Sequence, residues 1–209
     1  MPTLVTYALT SESRVKDRLA ITNSDLDTVI KRMIYGATDF IQRACDTVFK
    51  QTTYTDEKYN GSESMYTEKS DYILILRKGN VSSVTAIKYN NGTQGTPSWV
   101  TMSADDYVVD YETGIIHFYA PLPSGIQNIA VTYVSGYLID FSNEFDSSLH
   151  TLPYDVSDLC ERLVVKLLKR RESEGRSNET FNGSTITWGD FLEDHDKSII
   201  ANYRRAFVA

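Results

Sequence analysis

The sequence is poor in the features that build disulfide scaffolds and membrane spans. Its 209 residues include two cysteines, too few for a disulfide framework, and no apolar run approaches the roughly 20 residues that cross a bilayer. The first ten residues lack the basic and apolar regions of an export signal, so we expect synthesis and folding in the cytoplasm without membrane contact. Cys45 and Cys160 lie within apolar helical patterns and are predicted to be buried thiols.

The sequence also lacks the motifs of catalysis and of cofactor binding, including zinc-protease, nucleophile-elbow, phosphate-loop and dinucleotide patterns. The histidines His117, His150 and His195 fall in three different predicted elements. His195 stands between two aspartates, but adjacent side chains diverge on a helix, which favours a solvated turn over a metal site. The acid pairs Asp56–Glu57 and Asp105–Asp106 adjoin in sequence, whereas glycosidase carboxyls face each other across a sugar. We therefore expect no catalytic residue, metal or cofactor.

Basic residues are scarce in the middle of the chain. Between Thr52 and His150 there are 12 acidic and 5 basic residues, which accounts for the whole net charge of −7. A groove that grips nucleic acid needs clustered Lys and Arg, so this segment is not expected to form one, whereas DNA sliding past an acidic wall is compatible with it. Tyrosine, by contrast, is abundant: ten of the 14 tyrosines lie between Tyr54 and Tyr137. This enrichment is typical of strands with one solvent-exposed face and of protein interfaces.

The N-terminal quarter of the chain has a helical pattern. A short helix is predicted over Ser11 to Ala20. Ser24, with Asp27 three residues later, resembles a helix N-cap with a capping box, and it is followed by an amphipathic helix of about 25 residues. The apolar stripe of this helix predicts the following core positions: Leu26, Val29, Ile30, Met33, Ile34, Phe40 and Ile41.

A second helical stripe begins after Pro153, which is placed as a first-turn proline. It carries Leu159, Leu163, Val164 and Leu167, and it is the natural partner of the first stripe because neither can remain exposed to water. It ends in a basic cluster, interpreted as a solvated helix end with phosphate contact as the alternative. The cluster comprises Lys166, Lys169, Arg170, Arg171 and Arg176.

The last part of the chain combines polar and amphipathic segments. Residues 175–183 are polar and predicted to be mobile, residues 185–188 are strand-like, and a final helix starts near Glu193. That helix carries Ile199, Ile200, Tyr203 and Phe207, with arginines next to Tyr203. Aromatic residues with arginine are common interface anchors, but the same stripe is equally compatible with packing on the helical bundle.

Between the two helical regions the hydrophobic period changes from 3.6 to 2. The predicted strands are Tyr72–Leu76, Val84–Tyr89, Tyr107–Val109, Ile115–Tyr119 and Ile129–Val134. The third and fourth of these strands are joined by a turn and predicted to form a hairpin.

The predicted fold class is therefore α+β. Helices from both ends of the chain form a bundle, into which a small antiparallel β-sheet or barrel domain is inserted. The predicted division is residues 1–51 and 138–174 for the helical domain, residues 52–137 for the β insertion, and residues 175–209 for a mobile segment and C-terminal helix.

The order of short motifs resembles the head–tail connector, or adaptor, family of tailed bacteriophages, in its longer form with a β insertion. The resemblance starts with residues 19–27 and the long helix through Ile34, Ala37, Asp39, Phe40 and Ile41. It continues through the following segments: Val81–Thr85, Asp106–Tyr107, Gly114–Ile116, Val131–Tyr137, Leu152–Val156 and Tyr203–Arg205.

The resemblance implies a structural protein of the virion neck, made in the host cytoplasm. Such proteins form homo-oligomeric rings, generally dodecamers, that bind the portal and provide the platform for a stopper or tail-completion protein. They are bound beneath the portal of a filled capsid, and DNA passes through their central channel without sequence-specific binding. The C-terminal segment docks on the portal, which corresponds by position to Ile200, Tyr203, Arg204 and Phe207.

Two other interpretations remain open from the sequence. The chain is also compatible with another tail or baseplate structural module, whose tyrosine-rich β domain would bind the host surface. A wall-degrading enzyme attached to the virion neck is the other alternative, with Glu57 or Asp106 as its catalytic acid.

Overall fold

Apolar residues spaced three and four apart form helices where the sequence predicts them, and the fold class is α+β as expected. The computed structural model describes residues 7–61, 72–171 and 192–204, together with the backbone of residues 65–66, 178–181 and 184–187. The chain divides into two units, of which the first comprises Met1–Phe49 and Leu138–Ala209 and the second Lys50–Tyr137.

The elements of the described residues, in chain order, are α1 (Glu12–Leu19), α2 (Asp27–Cys45), β1 (Thr52–Tyr59), β2 (Met65–Tyr66), β3 (Tyr72–Ile75), β4 (Val81–Asn90), β5 (Trp99–Thr101), β6 (Tyr107–Asp110), β7 (Ile115–Phe118), β8 (Ile129–Ser135), α3 (Tyr154–Arg170), β9 (Asn178–Phe181), β10 (Ser184–Thr187) and α4 (Asp194–Tyr203).

The long helix α2 is shorter than predicted, with 19 residues, and the predicted cap is wrong. Leu26, not Ser24, occupies the N-cap position, and Ser24 contributes only its carbonyl oxygen, which accepts from the Asp27 N–H at 3.2 Å. Asp27 is instead held by an ion pair with Lys16 of α1 at 2.8 Å. The helix ends where Asp46 adopts a left-handed conformation with φ of 50°, which closes the last turn.

The apolar faces of α2 and α3 pack against each other, as the sequence predicts. Thr38 and Cys160 meet between them, with 3.8 Å from Oγ1 to Sγ. Of the predicted core positions, Ile30, Ile34, Ile41, Leu159, Leu163 and Val164 are buried, whereas Leu26, Val29, Met33 and Leu167 are half-buried. Phe40 differs from the prediction: it keeps 38% of its surface exposed, because it lies about 100° around the helix from Ile41.

Both cysteines are buried and form no disulfide, as predicted. Burial raises the pKa of Cys45 to about 11 and that of Cys160 to about 12, so both thiols stay protonated at neutral pH. Pro153 precedes α3 as its N-cap residue and not as the first helical residue.

Within the described residues, the second unit contains two four-stranded antiparallel sheets, ordered β1-β8-β4-β5 and β2-β3-β7-β6. The predicted hairpin is confirmed as β6 and β7, where Val108 pairs with His117. Strand β8 is central and almost wholly buried. Its inward-facing side chains belong to a core that includes Tyr59, Leu74, Ile87, Ile116, Phe118, Ile129, Val131 and Tyr133.

The sequence did not reveal strand β1. Its residues, Thr-Thr-Tyr-Thr-Asp-Glu-Lys-Tyr, carry no aliphatic side chain. A bulge between Tyr54 and Glu57, with Asp56 at φ of 48°, also breaks the alternation. Near the C-terminus, β10 overlaps the predicted strand over residues 185–188, and it pairs with β9, which lies within the segment predicted to be a mobile loop.

Candidate assembly surfaces

Helix α4, which carries the predicted docking residues, begins with a capping box. The side chain of Glu193 accepts from the Asp196 N–H, and the Glu193 N–H donates to Asp196 Oδ2 at 3.1 Å. This reciprocal pair satisfies two donors of the first turn and fixes where the helix begins.

Asp196 also ties α4 to α3. Its side chain is 1% exposed and accepts from Arg162 at 2.8 Å and from Lys166 at 3.0 Å. Burial acts to raise the pKa of Asp196, but the bonds from Lys166 and from the Glu193 backbone, with the charges of Lys166 and Arg162, outweigh it and keep the pKa below its ordinary value. Lys166, at the start of the predicted basic cluster, therefore belongs to an internal ion-pair network.

The predicted docking residues differ in their surroundings. The carbonyl of Ile200 accepts from the Cys45 thiol at 3.7 Å, and Tyr203 packs edge-on against Phe49 with ring centroids 5.9 Å apart. Arg204 is exposed just beyond the helix end, and Phe207 lies outside the described residues. Of the two alternatives that the sequence left open for this helix, packing on the bundle is what the structure has for α4.

The acid pairs that the enzyme interpretation would need are separated by the fold. Glu57 accepts from the Tyr133 hydroxyl at 2.6 Å and from the Tyr59 hydroxyl, whereas Asp56 pairs with Lys88 at 2.9 Å. Asp106 lies in an exposed 3₁₀ turn. Burial, followed by the bond to Glu57, raises the pKa of both tyrosines, so both remain proton donors at neutral pH. This arrangement fixes neighbouring strands β1 and β8 to each other.

The histidines lie in three separate places. His117 is half-buried on β7, and His195 is exposed in α4. His150 is buried, accepts from the Asp140 N–H at 3.1 Å through Nδ1, and packs against Phe141. Among the described residues, no group of three or more His, Cys, Asp or Glu side chains is placed to hold a metal ion.

Sequence reasoning missed a buried acid that fixes α1 to α3. Glu161 is 6% exposed and interacts with Thr10 at 3.2 Å, with Arg14 at 2.7 Å and with Arg18 at 3.4 Å. The signal was present as an acid within the apolar stripe of α3 and two arginines four residues apart on α1, because a charge at such a position needs a partner.

Large apolar side chains are exposed in both units. In the first unit these are Tyr35, Phe40, Val48, Phe145, Leu149 and Tyr154, and in the second unit Trp99, Val100, Val108, Tyr111, Tyr119 and Ile126. Phe145 is the most exposed, at 87%. Where such side chains adjoin in a patch, they are typical of surfaces that bind other proteins.

Comparison with known proteins gives a family and similar solved structures. The model of the family described as head completion protein matches residues 8–206. A similar solved structure is a chain from the neck of an empty GTA particle computed with C6 symmetry. It shares 13% identity with a TM-score of 0.55, and the alignment covers 100% of this chain and 97% of that chain. The search of curated proteins found no match. No helix of the described residues is long and apolar enough to cross a membrane.

Proposed function

The chain belongs to the head completion protein family, and we propose that it acts as the head–tail adaptor of a phage particle. In this role it binds the portal as a ring and provides the platform on which a stopper or tail-completion protein assembles. The family match over almost the whole chain carries the proposal. The protein is made in the host cytoplasm and resides in the virion neck.

The proposed oligomer is a homomeric ring. In a particle neck computed with sixfold symmetry, as for the similar chain, every chain away from the axis occurs in a multiple of six copies. A dodecamer satisfies this condition. The exposed aromatic residues of both units supply the apolar surface that ring contacts between copies need.

The proposed role is structural and not enzymatic. The position of Glu57 between two tyrosine hydroxyls supports this proposal, because its carboxylate is already engaged in holding strands together. Asp106, the other candidate acid, lies in an exposed turn.

DNA is proposed to pass through the centre of the ring without sequence-specific binding. The surplus of acidic residues between Thr52 and His150, 12 against 5 basic ones, supports this proposal. A channel wall of the same sign as DNA repels the phosphates and prevents adhesion as the DNA passes.

The C-terminal end is proposed to dock on the portal through Ile200, Tyr203, Arg204 and Phe207. Because the Tyr203 hydroxyl bonds to Asp155 of α3 and the Ile200 side chain is half-buried, replacement of either residue alters the subunit itself. Arg204 is exposed beyond the helix and is the cleanest position for testing portal contact.

A nonsense mutation in the gene of the phage tests the proposal. Without the protein, we expect DNA-filled heads and free tails that do not join, and purified protein added to these heads restores joining. Normal joining in its absence contradicts the adaptor role. Particles that join normally but fail to adsorb to cells favour the alternative, a tail or baseplate module that binds the host surface.

A further inference from the structure

A rigid loop between β8 and α3 presents Phe145 to solvent. Asp140 caps the preceding 3₁₀ turn by accepting from the Ser142 N–H at 2.9 Å. The Asp146 N–H donates to the Asn143 carbonyl at 3.0 Å, which closes the turn around Phe145. The ring of Phe145 is 87% exposed. A large apolar side chain held by an ordered backbone is preorganised for binding, since little conformational freedom is lost when a partner covers it.

Two further exposed side chains, Leu149 and Tyr154, extend this surface. We call the three residues Phe145, Leu149 and Tyr154 the Phe145 patch. Leu149 is 43% exposed and Tyr154 is 54% exposed. Glu144 fixes the loop, because it pairs with Arg14 of α1 at 3.2 Å and its carbonyl accepts from the Tyr154 hydroxyl at 3.3 Å. Residues 139–149 include three acidic residues and no Lys or Arg. The patch is therefore apolar, and its rim is acidic through Asp140 and Asp146, since Arg14 already pairs with Glu144.

A second surface of the same unit has the opposite charge. The α2 outer face comprises five exposed residues of that helix: Arg32, Tyr35, Gly36, Phe40 and Arg43. Arg43 is 70% exposed and pairs with Asp39. Arg32 has no ion-pair partner among the side chains that the structure describes. Two arginines beside aromatic rings form a cationic, partly apolar surface of the kind that is frequent at the centre of interfaces.

Gly36 leaves one position of the α2 outer face without a side chain. Glycine is among the least favourable residues in a helix interior, and, apart from the adjoining residues and backbone of α2 itself, no described heavy atom lies within 4 Å of a Cβ placed at this position. Packing inside the subunit therefore does not account for a glycine here. The space at Gly36 is therefore open, and we call this position between Arg32 and Phe40, one turn to either side, the Gly36 groove.

We propose that the Phe145 patch of one copy of the chain docks on the α2 outer face of the next, with Phe145 beside Gly36. This inference rests on the proposed ring and names its contact. The acidic rim meets Arg32 and Arg43, so the charges are complementary. The two surfaces consist of different residues, so a contact between them is head-to-tail. Such contacts generate a ring when the rotation from one copy to the next closes, as the proposed neck ring requires.

Cross-linking of purified necks tests the contact. A Gly36→Cys, Phe145→Cys double variant treated with a short bismaleimide should give a ladder of covalent oligomers that ends at the number of copies in the ring. A Gly36→Cys, Asp17→Cys variant, with the second cysteine exposed on α1, should give none. A ring visible by electron microscopy that yields no ladder overturns the contact and leaves the adaptor role standing. Dimers from Phe145→Cys alone indicate a two-fold contact and also overturn it.

Phe145→Ala provides an independent test. Because the ring is 87% exposed, the unfolding midpoint of the isolated chain should not change, whereas incorporation into necks should fall at least tenfold. Ile126→Ala removes a side chain that is 70% exposed in the second unit and should leave incorporation unchanged. Equal incorporation of both variants overturns the contact, and absence of the wild-type chain from necks overturns the adaptor role along with it.

Discussion

The hydroxyl of Tyr203, in the last turn of α4, donates to the Asp155 carboxylate in the first turn of α3 at 2.8 Å. This bond joins the end of the last helix to the start of the helix on which it packs. The bond thereby fixes the position of the helix end, which Arg204 follows. The proposed portal-docking segment is thus presented by an ordered helix.

Replacement of Tyr203 by Phe should loosen this end of α4. The ring remains against Phe49, but a hydrogen bond to a charged group is lost, at a cost of about 1.5 kcal/mol at most. Amide hydrogen exchange over residues 194–203 should become faster, while exchange in α2 should not change. Equal exchange in variant and wild type would show that the bond does not hold the helix.

Replacement of Asp196 by Ala should destabilise the first unit strongly. It leaves Arg162 and Lys166 without their buried partner and removes half of the capping box, at a cost of about 3 kcal/mol. The control is Asp194→Ala, since that carboxylate is 99% exposed and pairs with the exposed Lys197 at 3.0 Å; the control should change the free energy of unfolding by less than about 0.5 kcal/mol. Urea denaturation measures both.

The Asp196 contribution should also depend on pH. Its pKa is lower in the folded chain than its ordinary value, so its stabilisation is complete above the ordinary carboxyl pKa of about 4. It is lost as the pH falls through the lower folded-state pKa. The difference in unfolding free energy between wild type and Asp196→Ala should therefore shrink below about pH 4. A difference that is constant down to pH 2 contradicts the ion-pair account.

Replacement of Tyr133 by Phe should destabilise the second unit. The Tyr133 hydroxyl donates to Glu57 at 2.6 Å within the core, and the loss of a bond to a carboxylate costs about 2 kcal/mol. The matched control is Tyr54→Phe, because Tyr54 is half-buried and stacks on Tyr133 with centroids 5.1 Å apart. Similar thermal shifts for both variants would show that the bond from Tyr133 to Glu57 contributes no more than the hydroxyl of Tyr54.

Replacement of Gly36 by Ala should have opposite effects on the subunit and on the ring. Alanine favours the helix by about 1 kcal/mol, so the isolated chain should unfold at higher urea concentration. The added methyl group fills the proposed groove, so incorporation into necks should fall. The exposed Thr28→Ala on the same helix should stabilise the chain by about 0.5 kcal/mol without affecting incorporation. A Gly36→Ala chain that incorporates normally contradicts the assigned contact.

Replacement of Arg204 by Ala should weaken binding to purified portal without changing the stability of the subunit, because Arg204 is exposed beyond α4. Lys169→Ala removes an exposed cation from α3 and serves as the charge-matched control. Surface plasmon resonance on immobilised portal measures both variants. Equal weakening by both would indicate a general effect of charge and not a contact at the C-terminus.

The helical pairing could be predicted because the stripes of α2 and α3 are long and strongly periodic. The start of α2 could not be predicted from the sequence. Ser24 and Asp27 have the residue types of a capping box, but the backbone places Leu26 at the N-cap position. Phe40 was assigned to the core because an apolar residue at the margin of a stripe has the same sequence signal as one at its centre. Strand β1 was missed because its threonine, tyrosine and charged residues give no alternating apolar pattern, and a bulge interrupts the strand.

The family was recognised from the order of weak motifs along the chain, and the match over residues 8–206 confirms it. The candidate surfaces were less accessible to sequence reasoning. Phe145 looks like any core aromatic in the sequence, and its exposure depends on how the loop between β8 and α3 is folded. Likewise, Gly36 can be assigned to a contact surface only when the surroundings of a Cβ at that position are known.

Reconstruction of the intact virion neck by cryo-electron microscopy, without imposed symmetry, tests the adaptor role most directly. The account predicts a closed ring of twelve copies of this chain against the portal, with DNA on the axis. Density for the chain at the tail tip or baseplate, or its absence from the neck, would contradict it.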